Sequence, residues 1–495
     1  MDAGDAILES LYAAEPIDLP DTLAPEYVRA HGVLPIGLDD GSVTVAAAYE
    51  ADPDIADDLR VAFAVPTVRW VQAPESEVAR AIERALAGRG ETVTGLVREL
   101  SVVGDAGPGT ELPTAEDLTS LANQAPVVKL VNLLFLEAVE ARASDIHVEV
   151  HETGVSARYR IDGMLVDAPS PPAHLRDAIV SRLKVMANLD IAERRVPQDG
   201  RIRLRLKDRE IDVRVSTLPA IHGESVVLRL LDPSTRRLSL EELGMEREVL
   251  SAFDVLIRRP HGIILVSGPT GSGKTTTLYA ALDRIKTGRE KVVTVEDPVE
   301  YRIPGVTQVQ VNRAAGVTFA TALRSILRQD PDIILVGEMR DPETADIAVH
   351  AALTGHLVLS TVHTNDAATG VTRLLDLGVA DYLVASTVEG ILAQRLIRCI
   401  CQQCKQPVAI PDGCGWKGRG CDRCRGTGYY DRLGLFELLV MEEELRREVL
   451  AHRGSDALRS KAEQKGMRLL RREGLRKIGE GVTTLEEVER VTRES

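Results

Sequence analysis

Short apolar runs and amphipathic segments organise the first part of the chain. VLPIGL and SVTVAAA predict two strands joined by an Asp-Asp-Gly turn, and ESEVARAIERAL predicts an amphipathic helix. Beyond these segments, glycine and proline interrupt any periodicity, which is typical of a linker. The pattern therefore predicts an N-terminal α+β domain over residues 1–90 and a linker over residues 91–123.

The pattern over residues 124–232 predicts a second mixed domain. PVVKLVNLLFLEAVEARA is strongly amphipathic, and the strand-like segments DIHVEV, VSARYRID, GRIRLRL and IDVRVST follow it, with the helical HLRDAIVSRLKVMANL between them. In GRIRLRL, apolar residues alternate with arginines, so a strand would place its cations on one face. That face fits either solvent or a phosphate site shared between domains or subunits.

Four short β-branched runs lie between residues 233 and 395: GIILVS, VVTVE, IILVG and LVLSTV. Strands of this kind are usually central and parallel, with helices on both faces, so this region predicts an α/β domain. Residues 396–435 hold all six cysteines. Residues 436–495 are charged and are predicted to form a C-terminal helical segment.

Composition and charge narrow the class of protein. The 495 residues suit several domains, and the net charge of -15 argues against a protein that coats nucleic acid. No apolar run approaches the about 18–20 residues that span a bilayer, and the acidic N-terminus lacks a secretory signal pattern. We therefore expect a cytoplasmic protein with no nucleic-acid partner, which reaches a membrane only through another protein.

The stretch GPTGSGKT carries the clearest chemistry. It fits G-x-x-x-x-G-K-[ST] and lies between a predicted strand and a predicted helix, the context that a phosphate-binding loop requires. Its backbone N–H groups and the helix N-terminus would face the phosphates, Lys274 would reach the terminal phosphates, and Thr275 would bind Mg²⁺. The predicted ATP-binding residues are Gly268, Pro269, Thr270, Gly271, Ser272, Gly273, Lys274 and Thr275.

Three further strand ends could complete this site. VVTVEDPVEY ends in Glu296, DPDIILVGEMRD contains Glu338, and LVLSTVHTNDA contains His363. Acids at the ends of parallel strands lie where open α/β sheets bind ligands. In a generic P-loop ATPase, an Asp would occupy the position of Gly337. By the residues alone, the second stretch is either part of an ATP site or a buried strand before a charged turn, and His363 is either functional or structural.

The cysteines form a spaced pattern. Cys401-x2-Cys404 and Cys421-x2-Cys424 are separated by 16 residues, which is typical of a tetrahedral zinc site. Four thiolates leave no open position, so such a zinc would be structural. Free cysteines and a redox pair are the alternatives, and Cys399 and Cys414 have no assigned role.

Several of these stretches together resemble the secretion and pilus assembly ATPases. The resemblance covers about residues 20–490 and is carried by ASDIHVE, RYRIDG, RVPQDGR, GPTGSGKTTTLYA, VEDPVEY, ILVGEMRD, TGHLVLSTVHTNDA and the paired CxxC motifs. It is strongest for the type II secretion ATPases, with the type IV pilus extension ATPases as the alternative. Two other hypotheses remain. The acidic net charge argues against a nucleic-acid translocase. The strand-end residues Glu296, Glu338 and His363 argue against a nucleotide-binding scaffold without turnover.

This resemblance implies a homo-hexamer of a multidomain P-loop (RecA-type) ATPase with a PAS-like second domain and a zinc module. It implies that Glu338 is the catalytic base and that Glu296 assists with water and magnesium. Arg214 and Arg229 of the second domain would reach the nucleotide. Residues 1–90 would bind the cytoplasmic part of an inner-membrane secretion protein, and hydrolysis would drive addition of pilin-like subunits.

Overall fold

The computed structural model describes most of the chain. The described residues are 25–39, 41–47, 53–75, 78, 81–82, 125–206, 209–231, 238–410 and 413–493. Two compact units divide the chain, one of residues 1–159, 166–202 and 214–228 and the other of residues 160–165, 203–213 and 229–495. In the described parts of both, no helix has the length and apolar character needed to span a membrane.

The N-terminal region contains a three-stranded sheet. Its elements are α1 (Pro25–His31), β1 (Val33–Asp39), β2 (Ser42–Ala47), α2 (Pro53–Phe63) and β3 (Thr67–Gln72). The predicted hairpin is confirmed, since β1 and β2 pair in antiparallel fashion, and β3 pairs with β2 in parallel after the α2 crossover. Val43, Val45 and Leu59 are fully buried between sheet and helix. The helix predicted in ESEVARAIERAL falls largely outside the described residues.

The second sheet has six strands in the order β6-β5-β4-β9-β8-β7. Its elements are α3 (Ala125–Glu140), β4 (Asp145–His151), β5 (Gly154–Ile161), β6 (Met164–Asp167), α4 (Arg176–Met186), β7 (Gln198–Leu206), β8 (Arg209–Ala220) and β9 (Gly223–Leu231). The predicted alternation on β7 is confirmed, because Ile202 is buried while Arg201, Arg203 and Arg205 are exposed. These arginines lie on an edge strand.

The third sheet has seven strands in the order β12-β11-β13-β14-β10-β15-β18. Its strands are β10 (Gly262–Ser267), β11 (Val292–Glu296), β12 (Thr307–Gln310), β13 (Ile333–Val336), β14 (Leu357–Val362), β15 (Val388–Ile400) and β18 (Tyr429–Val440). The four strands predicted from apolar runs are its parallel centre. Their side chains alternate between two cores: Ile263 and Leu265 face one, and Ile264 and Val266 face the other.

Helices cover both faces of this sheet, as the apolar strands predict. They are α5 (Arg247–Ile257), α6 (Lys274–Ile285), α7 (Phe319–Ile326), α8 (Pro342–Leu353), α9 (Ala367–Asp376) and α10 (Asp381–Thr387), followed by the C-terminal α11 (Glu443–Leu450), α12 (Ser455–Gln464), α13 (Leu470–Gly479) and α14 (Leu485–Thr492). Buried residues of α5 and α6 belong to one core, and those of α7 to α9 belong to the other.

The segment that carries five of the six cysteines, residues 401–428, lies between the strands β15 and β18. The antiparallel strands β15 and β18 belong to the large sheet, so only residues 401–428 lie outside it. Within that segment, β16 (Lys405–Ile410) and β17 (Gly413–Gly418) form an antiparallel hairpin. The predicted boundary at residue 396 falls within β15, in which Ile397 and Ile400 are buried.

Candidate active site

Three separate segments of the chain meet at the carboxyl ends of β10, β13 and β14. These strands are neighbours in the parallel part of the sheet, so their ends share one edge. The glycine-rich loop, residues 268–273, follows β10; Glu338 follows β13; and His363 follows β14. His363 Nε2 lies 3.6 Å from Glu338 Oε2. The sheet thereby assembles the candidate site that the sequence motifs indicated separately.

The glycine-rich loop lies tightly against β15. A Cβ atom on Gly268 would lie 2.6 Å from the carbonyl oxygen of Gln394, and one on Gly273 would lie 2.9 Å from Gln394 Nε2. Gly273 also has φ +86°, a conformation that L side chains rarely adopt. The backbone conformation therefore requires glycine at position 273, and a side chain there would also have to displace the Gln394 amide.

Lys274 is the first residue of α6, and its ammonium is held by the loop that precedes it. Nζ donates hydrogen bonds to the carbonyl oxygens of Gly268 (2.7 Å) and Pro269 (2.9 Å). Only 8% of the residue is exposed, and this burial lowers the pKa of Lys274 to about 8, although the charge of Glu338 opposes the shift. Thr275, by contrast, is exposed at the start of the helix.

The turn after β13 brings opposite charges together. Arg340 Nε lies 2.5 Å from Glu338 Oε2, and the Glu338 side chain is only 14% exposed. Burial and the nearby Lys274 ammonium lower the pKa of His363, and Glu338 offsets part of this effect. His363 is therefore neutral near pH 7 and can use one ring nitrogen as a donor and the other as an acceptor. Arg340 was missed as a site residue, although it lies within the motif ILVGEMRD, two positions after the acid.

Gly337 has little room for the aspartate that a generic ATP site would place there. A Cβ atom at this position would lie 3.2 Å from the carbonyl oxygen of Val295, 3.3 Å from Glu296 Cα and 3.4 Å from the ring of Phe319. The amide of Gly337 donates to Val295 O at 2.8 Å, so the two strands are held together at this point. The backbone contact with β11 thus explains the glycine and leaves the acid one residue later.

Glu296 ends β11 and is 3% exposed. Its carboxylate accepts hydrogen bonds from the Tyr279 hydroxyl, from Thr294 Oγ1 (2.5 Å) and from Gln308 Nε2 (3.2 Å). Burial, followed by the contact with Glu296, raises the pKa of Tyr279, so the phenol stays a donor. Since Tyr279 lies on α6, Glu296 connects the strand to the helix that begins at Lys274.

The two arginines predicted to reach the nucleotide lie on neighbouring strands of the six-stranded sheet. Arg214 is on β8 and is half-buried, whereas Arg229 is on β9 and is exposed. Their action on the nucleotide stays a prediction.

Four cysteine sulfurs form a compact cluster. The sulfur atoms of Cys401, Cys404, Cys421 and Cys424 all lie within 4.8 Å of one another. The closest pairs are 3.7–3.8 Å apart, too long for a disulfide. Zn–S bonds of about 2.3 Å in a tetrahedron place the sulfurs about 3.8 Å apart, so the cluster has the dimensions of a zinc site.

The backbone also supports thiolates in this cluster. Cys424 Sγ accepts from the amides of Cys421 (3.2 Å) and Gly428 (3.3 Å). Such N–H donors orient metal-bound sulfur and stabilise its charge. Cys399 lies outside the cluster, and burial raises the pKa of its thiol to about 11. The Cys414 side chain falls outside the described part of the chain.

Comparisons with known proteins identify the family of this chain. The family described as Type II/IV secretion system protein matches residues 120–490, and the MshEN domain matches residues 8–92. Type II secretion system protein HxcR of Pseudomonas aeruginosa is 54% identical over 78% of this chain and 81% of its own length. Type IV pilus assembly ATPase PilB of Myxococcus xanthus is 43% identical over 95% of this chain and 86% of its own.

Among solved structures, the crystal structure of the pilus retraction motor PilT with bound ADP is similar, with a TM-score of 0.51 and 27% identity, covering 73% of this chain and 96% of PilT. The resemblance inferred from the motifs is thus confirmed over most of the chain. The chain belongs to the type II/IV secretion system protein family and is an ATPase.

Proposed function

We propose that this chain is the assembly ATPase of a type II secretion system and couples ATP hydrolysis to pseudopilus assembly and protein export. The observation that carries this proposal is the convergence of Lys274, Glu338 and His363 at one edge of the parallel sheet. A site that only held a nucleotide would not need an acid and a neutral imidazole 3.6 Å apart beside the lysine.

In this proposal the ATP phosphates lie against the glycine-rich loop and the N-terminus of α6. Lys274 moves its hydrogen bonds from the carbonyl groups of the loop to the terminal phosphates, whose negative charge raises the pKa of its ammonium. Ser272 Oγ is buried without a hydrogen-bond partner among the described residues and is available to the same ligand. The exposed Thr275 hydroxyl would hold Mg²⁺, and the ion would supply charge neutralisation at the phosphates.

We propose that Glu338 orients the attacking water and accepts its proton. Arg340 pairs with the Glu338 carboxylate, and His363 contacts the same carboxylate from the next strand. Glu296 supplies the second acid of the site. Because three protein donors surround its carboxylate, Glu296 would influence water and Mg²⁺ indirectly, through Tyr279 and α6.

The proposed domain organisation follows the family. Residues 1–90 form a partner-binding domain, 91–123 a linker, 124–232 a PAS-like domain, 233–395 a RecA-type P-loop domain, 396–435 a zinc module and 436–495 a C-terminal helical segment. The chain works in the cytoplasm as a homo-hexamer, with no nucleic-acid partner. Arg214 and Arg229 contribute positive charge to the nucleotide site, in the manner of an arginine finger.

We further propose that Cys401, Cys404, Cys421 and Cys424 hold a structural Zn²⁺. The sulfur spacing and the two amide donors to Cys424 support this proposal. Because the thiolates fill a tetrahedral shell, the ion has no position for substrate.

Type IV pilus extension is the second candidate function, and the identity with PilB favours it. Expression of this chain in two bacterial strains distinguishes the two candidate functions. One strain lacks its type II secretion ATPase, and the other lacks its pilus extension ATPase. Restored export in the first strain supports the proposed function. Restored pili in the second alone support the alternative.

Substitution of Glu338 by Gln tests the catalytic assignment. We expect Glu338→Gln to bind ATP and to lose about 10²-fold or more in steady-state kcat, the scale of a positioned general base. The measurements are phosphate release and equilibrium binding of a fluorescent ATP analogue. Glu343→Gln, at an exposed acid on α8, is the matched control and should keep wild-type kcat. Full activity in Glu338→Gln would contradict the proposal.

A further inference from the structure

The loop that carries His363 contacts the C-terminal helices. This loop, residues 363–366, connects β14 to α9, and Asp366 is the N-cap of α9 and accepts from the amide of Thr369 at 2.8 Å. The second carboxylate oxygen of Asp366 accepts from Nη2 of Arg459, on α12, at 2.6 Å. Both side chains are mostly buried, with 25% of Arg459 and 18% of Asp366 exposed, so this ion pair is poorly screened by solvent.

The buried carboxylate of Glu437 connects the end of this loop to the start of α13. Glu437, near the end of β18, is 2% exposed, and its two oxygens accept from the amides of Ala367 (2.9 Å) and Leu470 (3.1 Å). These amides are the first of α9 and of α13, where a negative charge is favourable. One side chain therefore fixes the starts of both helices relative to each other.

The other side of the loop contacts the strands beside the glycine-rich loop. Ser267 Oγ, on the last residue of β10, lies 3.4 Å from the carbonyl oxygen of Asp366. Arg395 Nη2, on β15, donates to the carbonyl oxygen of Asn365 at 2.7 Å. The loop is thus held between the nucleotide edge of the sheet and the C-terminal helices.

We propose that Arg459 and Glu437 are positioning residues for ATP hydrolysis. Through Asp366 and the first turn of α9, they hold the 363–366 loop so that His363 stays beside Glu338. The contacts described above for Arg459 and Glu437 are with Asp366, Ala367 and Leu470, so we infer that each acts through the loop. This inference rests on the proposed function, because it assumes that His363 acts in hydrolysis. A displacement of about 1 Å in such a group can cost up to 10²-fold in rate.

Arg459→Ala in the full-length oligomer tests the proposal. We expect kcat for ATP to fall about tenfold while KM and the affinity for a fluorescent ATP analogue stay within about twofold, because the phosphate cradle is untouched. Arg459→Lys should recover part of the rate, since it keeps the charge but loses the planar fork. The matched control is Arg447→Ala, which removes an exposed Arg–Glu pair from the same segment and should leave kcat unchanged.

A double-mutant cycle distinguishes positioning from general loosening of the fold. In a His363→Ala background, Arg459→Ala should cause no further loss of kcat, because the group that it positions is already absent. Glu437→Gln is a second test: an amide can serve as acceptor to only one of the two backbone donors, so kcat should fall in the same direction. Thermal unfolding and circular dichroism check that each variant is folded.

Three results would overturn the inference: unchanged kcat in Arg459→Ala, a loss expressed in KM alone, or an equal loss of kcat in both backgrounds. Wild-type activity of His363→Ala alone would overturn the proposed role of His363 and this inference with it. If His363→Ala lowers kcat and Arg459→Ala lowers it further by the same factor in that background, the inference is overturned. The proposed role of His363 then still stands.

Discussion

Gly337 and Glu338 illustrate how neighbouring residues can be constrained by different parts of the fold. The Gly337 position is limited by the backbone of β11, whereas the Glu338 side chain extends to Arg340 and His363. An acid at position 337 would crowd the backbone of β11 and force a small local shift there. An acid at position 338 needs no such change, so the chain can carry its strand-end carboxylate there.

Gly337→Ala tests this steric argument. The added methyl group would contact Val295 O and Glu296 Cα, so we expect a loss of about 1–3 kcal/mol in the free energy of unfolding. Gly337→Asp should lose more, because a carboxylate would also lie beside a carbonyl oxygen. Denaturant unfolding measures both. Gly479→Ala, where a Cβ meets nothing within 4 Å, is the control and should not be destabilised.

Lys274 leads to a pH prediction. Burial lowers the pKa of its ammonium to about 8, and phosphates that replace the loop carbonyls will raise that pKa. Below pH 8 the lysine is charged before and after binding, so affinity for the phosphates should vary little. Above pH 8 binding requires proton uptake, so affinity should fall by up to about tenfold per pH unit.

Fluorescence anisotropy with labelled ADP between pH 7 and 9.5 measures this dependence. Lys274→Arg keeps its charge throughout the range and should show a flatter profile. A wild-type affinity that is independent of pH across the range would contradict the prediction.

At the scale of elements, the long strands β15 and β18 connect the ATPase core to the cysteine cluster. They pair from Gly390 and Val440 near the core to Ile400 and Tyr429 near the cysteines. The segment beyond them is only residues 401–428, and much of it is the β16–β17 hairpin. A segment of this size has little apolar core of its own, so cross-linking by a metal is the expected source of its stability.

Cys421→Ser tests the zinc proposal. We expect the wild type to bind one zinc per chain, and the variant to lose it and to become more susceptible to proteolysis within residues 401–428. Elemental analysis and limited proteolysis measure these effects. Cys399→Ser, outside the cluster, should retain the metal. Wild-type protein without stoichiometric zinc would contradict the proposal.

At the scale of the whole molecule, the C-terminal helices are fixed at widely separated points of the large sheet. Besides the contacts of Glu437 and Arg459, the buried Glu487 of α14 accepts from the Arg398 amide (3.0 Å) and from its guanidinium (2.8 Å). Burial opposes ionisation of Glu487, yet Arg490 and Arg398 hold its pKa at about 2. The segment without a recognisable motif therefore packs against both the nucleotide edge and the base of the cysteine segment.

The N-terminal region gives a prediction at the same scale. Deletion of residues 1–90 should abolish recruitment to membranes that contain the inner-membrane partner, while the nucleotide affinity of the remaining chain stays unchanged. Membrane flotation measures this recruitment. The control is full-length Glu338→Gln, which should still bind the membranes although it does not hydrolyse ATP, so that recruitment is distinguished from turnover. Unchanged recruitment after the deletion would exclude residues 1–90 as the docking domain.

The sequence predicted the parallel centre of the large sheet because fully buried β-branched runs have few alternatives. It did not predict β15 or β18 as strands of that sheet. GILAQRLIRCI runs across the predicted boundary at residue 396, and FELLV falls within the predicted C-terminal helical segment of residues 436–495. Antiparallel pairing between distant segments leaves no local signal in either one.

The sequence by itself determined which chemical groups are candidates for the two sites: the glycine-rich loop with Lys274, the strand-end acid Glu338 and four cysteines at fixed spacing. These are local patterns in which residue type and spacing carry the chemical meaning. Only the tertiary structure decided that Gly337 has little room for a side chain, that Arg340 pairs with Glu338, and that Arg459 reaches the loop of His363. The first and last of these depend on contacts between segments far apart in the chain, and the Arg340 pair depends on how the turn orients its side chains.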